Sequence, residues 1–216
     1  MTALSTRLDG GRDQVIRRCA DLLIAGSVLL LLSPLMVIIG VLVRLTSPGP
    51  AVFRQRRVGI ARQPFSFYKF RTMRVGCDDT PHRELITREL RGDEMSRLGS
   101  WKLDSDGRVT PFGAFLRRTS LDELPQLVNV LRGDMTLVGP RPCLEWEAEI
   151  FPSEFDARFT VRPGVTGLWQ VSGRSTVSIL EMLRLDVSYV RDRTLHGDIA
   201  ILARTVPAVL RGDGAR

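Results

Sequence analysis

Histidine and cysteine are nearly missing: the 216 residues hold two of the first and three of the second. With only His82 and His196, a histidine-based metal site is not expected. Cys19, Cys77 and Cys143 have neither the even count of a disulfide framework nor the close pairs of a zinc site. A required metal is therefore expected to be an oxygen-bound divalent cation such as Mg2+. Nothing in the cysteine usage points to an oxidising compartment. Aromatic residues make up only 6% of the chain and do not alternate with basic ones. That argues against a stacking platform and hence against a nucleic-acid partner. Internal repeats and low-complexity tracts are also lacking. Acid is in deficit, with 24 Asp and Glu against 31 Lys and Arg and a net charge of +7. Such an excess suits phosphate-bearing partners, whether nucleotides or phospholipid headgroups.

Charge disappears entirely between Leu22 and Val43, "LLIAGSVLLLLSPLMVIIGVLV". A straight helix of that length reaches about 33 Å, enough to cross a bilayer core. The basic stretch that follows offers no clean small-residue cleavage site, so a signal peptide is not the reading. So long an apolar run is also rare as a buried helix of a soluble protein, and membrane residence is expected. Ser33-Pro34 stands near its middle, where proline removes a hydrogen bond and tends to kink a helix. Arg7, Arg12, Arg17 and Arg18 precede the run, and Arg44, Arg54, Arg56 and Arg57 follow it. Basic flanks favour the cytoplasmic side. A spanning helix places only one flank there, whereas a hairpin returning through one leaflet places both. These features alone leave both topologies open.

After Arg44 the chain reads as one unit of mixed structure. "SPGP" (Ser47 to Pro50) is a turn. Two β-like runs, Ala51 to Arg56 and Pro64 to Phe70, suggest a hairpin around "RVGIAR". Val75 to Arg108 is dense in charge, and the expectation is a mobile surface loop with a helix near Glu84 to Arg97. Thr110-Pro111 is a helix start, N-cap then proline, for a helix over Phe112 to Arg118. Further on come the turn-rich "VRPGVTGLWQVSGR" (Val161 to Arg174) and two helices, Ser178 to Val190 and Asp198 to Leu210. The last has apolar Ile199, Leu202, Val206 and Leu210 against Arg204 and Arg211, a pattern suited to a membrane surface.

The most informative stretch is "RRTSLDELPQL", Arg117 to Leu127. Ser120 to Glu123 has the letters of a capping box. Pro125 argues against a helix starting there, because it would crowd the carbonyl of Leu121 and push Leu124 out of α geometry. A helix starting next to Pro125 fits better and leaves Asp122 and Glu123 at its mouth. Two carboxylates behind the arginines at the end of the preceding helix suit a phosphate group together with a nucleophile or metal ligand. Downstream, "GDMTLVGPRP" sets Arg141 between prolines, which stiffens it. Upstream, "YKFRTM" places Lys69 and Arg71 two apart, on one face of a strand.

Taken together, "SPGPAVFRQRRVG", "FSFYKFRTM", "RRTSLDELPQLVNVLRGDMTLVGPRP" and "VRPGVTGLWQVSGR" resemble the bacterial sugar transferase family of monotopic phosphoglycosyl transferases, in order from about Arg18 to Val190. The resemblance implies transfer of a sugar 1-phosphate from a nucleotide sugar, with UDP favoured, to a polyprenyl phosphate. It implies catalytic roles for Asp122 and Glu123 and a membrane element bent at Ser33-Pro34, with Arg18 and Asp21 at its mouth. The topology it favours is re-entrant. Arg117 and Arg141, with Lys69 and Arg71, are the expected phosphate ligands, and Asp122 the expected contact to Mg2+. The expected fold is α+β, a mostly helical cytosolic domain with a short β-hairpin. In outline this is a tail over 1–17, a re-entrant helix over 18–46 and a catalytic domain over 47–216. The chain resembles the small, minimal members. The expected place is the bacterial inner membrane, catalytic domain on the cytoplasmic face, in contact with phospholipid.

Overall fold

A computed structural model describes residues 11–76, 80–90, 107–173 and 177–210. The apolar run lies within α1, a 36-residue helix over Gly11–Thr46 that continues through Pro34. Proline leaves the Leu30 carbonyl without its i+4 donor, and the Ser33 hydroxyl donates to that carbonyl at 2.9 Å. The Ser-Pro pair thus repairs the hydrogen bond that proline removes. Among the described residues α1 is the one helix long and apolar enough to cross a membrane. Leu30 and Leu31 in its middle are 80% and 78% exposed, so no other described residue covers them.

Both ends of α1 pack against the rest of the chain. At the first end Arg17 Nε donates to Asp198 at 2.6 Å, and the Arg18 guanidinium donates to the carbonyls of Val130 and Leu131. Buried Asp21 accepts from the Thr136 hydroxyl at 2.7 Å and from Leu137 N–H at 2.9 Å. Toward the second end Ile39 and Val43 pack with Phe70 and Leu116. There the Arg71 guanidinium donates to the carbonyls of Val43, Ser47 and Pro48. Arg71 thereby satisfies the end of the helix and the turn after it, where Gly49 needs its left-handed φ of 115°.

The expected hairpin is present as β1 (Val52–Val58) and β2 (Pro64–Phe70), antiparallel with Phe53 opposite Lys69. Helix α2 (Thr80–Leu90) follows, then α3 (Pro111–Arg118) with Thr110 as its N-cap, accepting from Gly113 N–H. Helix α4 (Gln126–Arg132) starts beside Pro125, as the proline argument requires. Ser120 makes no cap; it lies in the left-handed region (φ 55°) before a 3₁₀ turn over Leu121–Glu123. Fully buried Asn129 ties α4 to the edge of β2, accepting from Tyr68 N–H and donating to the Ser66 carbonyl. Its amide thus pairs two backbone groups of an edge strand.

Sequence reading missed the parallel pair β3 (Thr136–Val138) and β4 (Gly164–Thr166). Between them come α5 (Glu145–Ile150) and 3₁₀ turns over Ser153–Thr160; after them come α6 (Leu168–Ser172), α7 (Ile179–Arg191) and α8 (Leu195–Leu210). The described part is therefore mostly helical with short strands, as the α+β expectation had it. One core gathers α5, α7 and the 3₁₀ segment, a second joins α4, β3, α8 and Ala25 of α1, and the third lies under the far end of α1. The helix expected at Glu84 to Arg97 appears earlier, and 77–79 and 91–106 lie outside the described residues. Nor is α2 all surface: Ile86 is buried in the first core, and Glu89 accepts from Ile179 N–H at the start of α7. On α8, Ile199 and Val206 are exposed, while Leu202 packs inward on the second core.

Strand β4 approaches the segment after β3 so closely that a Cβ on Gly164 would stand 2.1 Å from Gly139 N. The obstacle is backbone and cannot swing aside. Gly164→Ala is expected to cost about 2–3 kcal/mol or more by overpacking. In a chain of this size that lowers Tm by roughly 5–10 °C, readable by thermal denaturation in detergent or nanodiscs.

Candidate active site

The close seat of α3 places its arginine. A Cβ on Gly113 would stand 2.1 Å from the Thr72 carbonyl oxygen, so only glycine lets the helix lie on residue 72. Thr110 N–H donates to that carbonyl at 3.0 Å. Near the helix end Arg117 Nε then reaches the Thr72 hydroxyl, also at 3.0 Å. The left-handed Ser120 turns the chain so that Asp122 points inward, 7% exposed, while Glu123 stays half-buried.

Asp122 is held in an unusual electrostatic state. Burial and the neighbouring Glu123 charge push its carboxyl up to about 7, against the lowering pull of Lys69 and Arg117. Lys69 is the reciprocal case: burial of its ammonium, with Arg117, Arg57 and Arg141 as like charges, brings it down to about 8, although Asp122 works the other way. The Lys69 ammonium also lies 5.4 Å from the Phe53 ring centroid. Three of the expected residues, Lys69, Arg117 and Glu123, thus act on a fourth, Asp122. Arg141 acts on Lys69 too, and its guanidinium lies 5.9 Å from the Trp169 ring centroid. Arg71 departs from expectation. Its guanidinium is committed to the end of α1, because the strand stops at Phe70 and the chain turns toward the helix. Arg18 and Asp21 sit at the base of α1, and Ser33 and Pro34 lie in its exposed middle.

Sequence reading missed several groups. Arg57, buried on β1, donates to the Pro142 carbonyl at 2.8 Å. Glu147 resists the effect of burial and is held at about 2 by His82, 3.7 Å away, by the charges of Arg57 and Arg141 and by the hydrogen bond from Leu144 N–H. Arg158 and Asp186 form a buried pair at 2.8 Å. A signal for the last was present: Ile179, Met182, Leu183, Asp186 and Tyr189 share the buried face of α7, and an acid on such a stripe calls for a partner.

Among the described residues no group of three or more His, Cys, Asp or Glu converges on a metal position. Mg2+ does not need one, since one or two carboxylates complete its shell with water and phosphate oxygens. Asp122, whose ionisation the Glu123 charge makes costlier, and Glu123 beside it fit such an ion.

A buried carboxylate, Asp122, with half-buried Glu123 next to it, thus lies in the field of Lys69 and Arg117, in a chain whose α1 is apolar enough for a bilayer. Residues 12–212 match the bacterial sugar transferase family, and the chain belongs to it. It is 42% identical over 215 residues to a UDP-galactose-lipid carrier transferase of Erwinia amylovora, covering 98% of this chain and 44% of that protein. It is 39% identical over 207 residues to a UDP-glucose:undecaprenyl-phosphate glucose-1-phosphate transferase of Caulobacter vibrioides, covering 92% and 71%. With the exopolysaccharide production protein ExoY of Rhizobium meliloti the identity is 40% over 203 residues, covering 92% and 87%. The chain thus spans less than half the length of the first of these relatives.

The raised Asp122 pKa has a consequence for stability. Its folded value lies above the unfolded one, so the stability it allows is full below pH 4 and is lost as pH rises through about 7. Asp122→Asn removes that loss. Without divalent cations the variant is expected to melt above the wild type at pH 8, the gap closing as the pH falls toward 4. Equal melting at pH 8 would contradict the desolvated state assigned to Asp122.

Proposed function

We propose that this protein transfers a sugar 1-phosphate from a nucleotide sugar, with UDP as the nucleotide, to a polyprenyl phosphate, by way of a covalent intermediate on Asp122. The observation that carries the reading is a buried, poorly solvated Asp122 carboxylate next to Lys69 and Arg117. Supporting it are the relatives' names, which specify UDP-sugars, undecaprenyl phosphate and exopolysaccharide production. Initiation of a polysaccharide or related glycan follows as the role.

In the first step a carboxylate oxygen of Asp122 attacks the β-phosphorus, forming an acyl phosphate. The bridging P–O bond breaks, and nucleoside monophosphate leaves with the electron pair. In the second step an oxygen of the polyprenyl phosphate attacks the same phosphorus. Polyprenyl diphosphate sugar forms and the carboxylate is regenerated. Lys69, Arg117 and Arg141 neutralise phosphate charge. Desolvation of Asp122 leaves a poorly hydrated nucleophile once the diphosphate and its counterions are in place. Mg2+ bound by Asp122 and Glu123 would offset the repulsion between carboxylate and diphosphate. Glu123 is also the candidate to assist proton movement.

The same reading includes a re-entrant α1. A helix crossing the bilayer carries its two ends to opposite sides. In α1 the end at Arg17 to Asp21 and the end at Ile39 to Val43 both pack on the same body, which supports entry and return through one leaflet. The basic flanks support a cytoplasmic catalytic domain on the inner membrane, and the exposed Ile199 and Val206 of α8 suit contact with phospholipid at its surface.

If the intermediate forms, labelled nucleoside monophosphate is expected to exchange into nucleotide sugar with no polyprenyl phosphate present, and the kinetics to be ping-pong. Asp122→Asn is expected to abolish exchange and transfer in a folded, membrane-bound protein. Glu123→Gln is expected to slow both steps without becoming the labelled position. Active enzyme with no exchange would exclude the intermediate.

Topology has its own readout. Cysteines placed near Thr2 and near Arg216 are both expected to react only from the cytoplasmic side. Periplasmic labelling near Thr2 would establish a spanning helix, and Pro34→Leu is expected to push the protein toward that state.

A further inference from the structure

Four consecutive carbonyls around Arg141 are taken by donors from elsewhere in the chain. Gly164 N–H donates to Pro140 at 2.8 Å, and Val58 N–H donates to Cys143 at 2.9 Å. Between them Arg158 Nη2 donates to the Arg141 carbonyl at 2.7 Å, and Arg57 Nη1 to the Pro142 carbonyl at 2.8 Å. Pro140 and Pro142 have no N–H, so amides cannot hold the chain at those positions and the carbonyls are its handles. Arg158 is 3% exposed, and the same Nη2 donates to Asp186, itself 1% exposed, at 2.8 Å. Its guanidinium lies 5.1 Å and 5.4 Å from the ring centroids of Phe151 and Phe159.

Arg158 does not have the surroundings of a substrate ligand. The cavity it lines with Arg141, Gly59, Pro140 and Phe159 is about 10 Å³, room for roughly one water and not for a phosphate group. Its Nε and Nη1 are buried without hydrogen-bond partners among the described residues. Stability alone does not account for the pair, since a buried ion pair is often matched or bettered by apolar side chains of the same size. What the pair does uniquely is grip the carbonyl of the arginine that acts on the Lys69–Asp122 cluster.

We propose that Arg158, balanced by Asp186, is a positioning residue that fixes the Arg141 backbone and thereby aims the Arg141 guanidinium at the phosphate-binding cluster. The proposal rests on the phosphate-binding role given to Arg141. The grip comes from α7 and the 3₁₀ segment, so these elements shape the site without entering it.

The test uses four full-length proteins in nanodiscs: wild type, Arg141→Ala, the pair Arg158→Met with Asp186→Leu, and all three changes together. The apolar pair preserves volume and leaves no unpaired charge. It is expected to lower kcat/KM for nucleotide sugar by about tenfold or more, as small misplacements of a ligand do. In the Arg141→Ala background the same pair is expected to cost less than about twofold, because its effect runs through Arg141. A multiplicative loss, or a folded pair variant with wild-type turnover, overturns the proposal. Hydrogen exchange over 139–143 reads the grip independently of chemistry, and it is expected to rise in the pair variant while the β1–β2 hairpin stays unchanged. Unaltered exchange there overturns the proposal as well. If wild type fails to turn over nucleotide sugar, the proposed activity falls, and the exchange result alone decides whether the grip exists. Should the pair variant not fold, Asp186→Asn takes its place with the same readouts.

Discussion

Asp21 is the joint on which the arrangement depends. It is buried at the base of a helix whose middle stays exposed at Leu30 and Leu31, and it accepts from the Thr136 hydroxyl and Leu137 N–H of β3. A buried carboxylate is tolerated only where donors meet it, so the base of the apolar helix is committed to that strand. Beside it Arg17 pairs with Asp198 of α8. The Tyr189 hydroxyl lies 2.8 Å from Asp198 and 2.9 Å from the Val138 carbonyl. The segment leaving β3 runs directly into Gly139 and Pro140 and so to Arg141. The seat of the apolar helix and the position of Arg141 are therefore coupled through a few residues of backbone.

The site carries unfavourable electrostatics that the rest of the fold supports. Asp122 and Lys69 are both pushed toward their neutral forms by burial, and each partly offsets the other. A sequence selected for stability alone has little reason to bury an acid beside a second acid. Such conflicts concentrate where charge is needed for chemistry. They are tolerated because the scaffold around them is rigid: α3 is pressed on Thr72 with no room for a side chain at Gly113, and the carbonyls around Arg141 are all engaged.

Both ends of α1 serve that scaffold in different ways. The first uses charge-assisted hydrogen bonds from Arg17 and Arg18 and to Asp21; the second uses apolar packing of Ile39 and Val43, closed by Arg71. Arg71 is a case where proximity in sequence misleads. Two residues from Lys69, it would share a strand face with it if the strand continued, but β2 ends at Phe70 and the side chain is drawn to the carbonyls of the helix end.

Local chemistry made several elements legible in the sequence. The proline-ended apolar run, the Thr110-Pro111 start, the hairpin and the helix after Pro125 all follow from interactions within a few residues, where periodicity and capping act. Asp122, Glu123 and Arg117 were legible for the same reason, as neighbours in one short motif. Tertiary structure alone decided the rest. Strands of three residues such as β3 and β4 have no periodicity to display and exist only because Gly139 and Gly164 let two backbones meet. The pairing of Arg158 with Asp186, the capture of Arg71 by α1 and the convergence of Lys69 with Asp122 join residues far apart in the chain. No local preference encodes such contacts, because their energy appears only when burial removes the water that would otherwise solvate each charge.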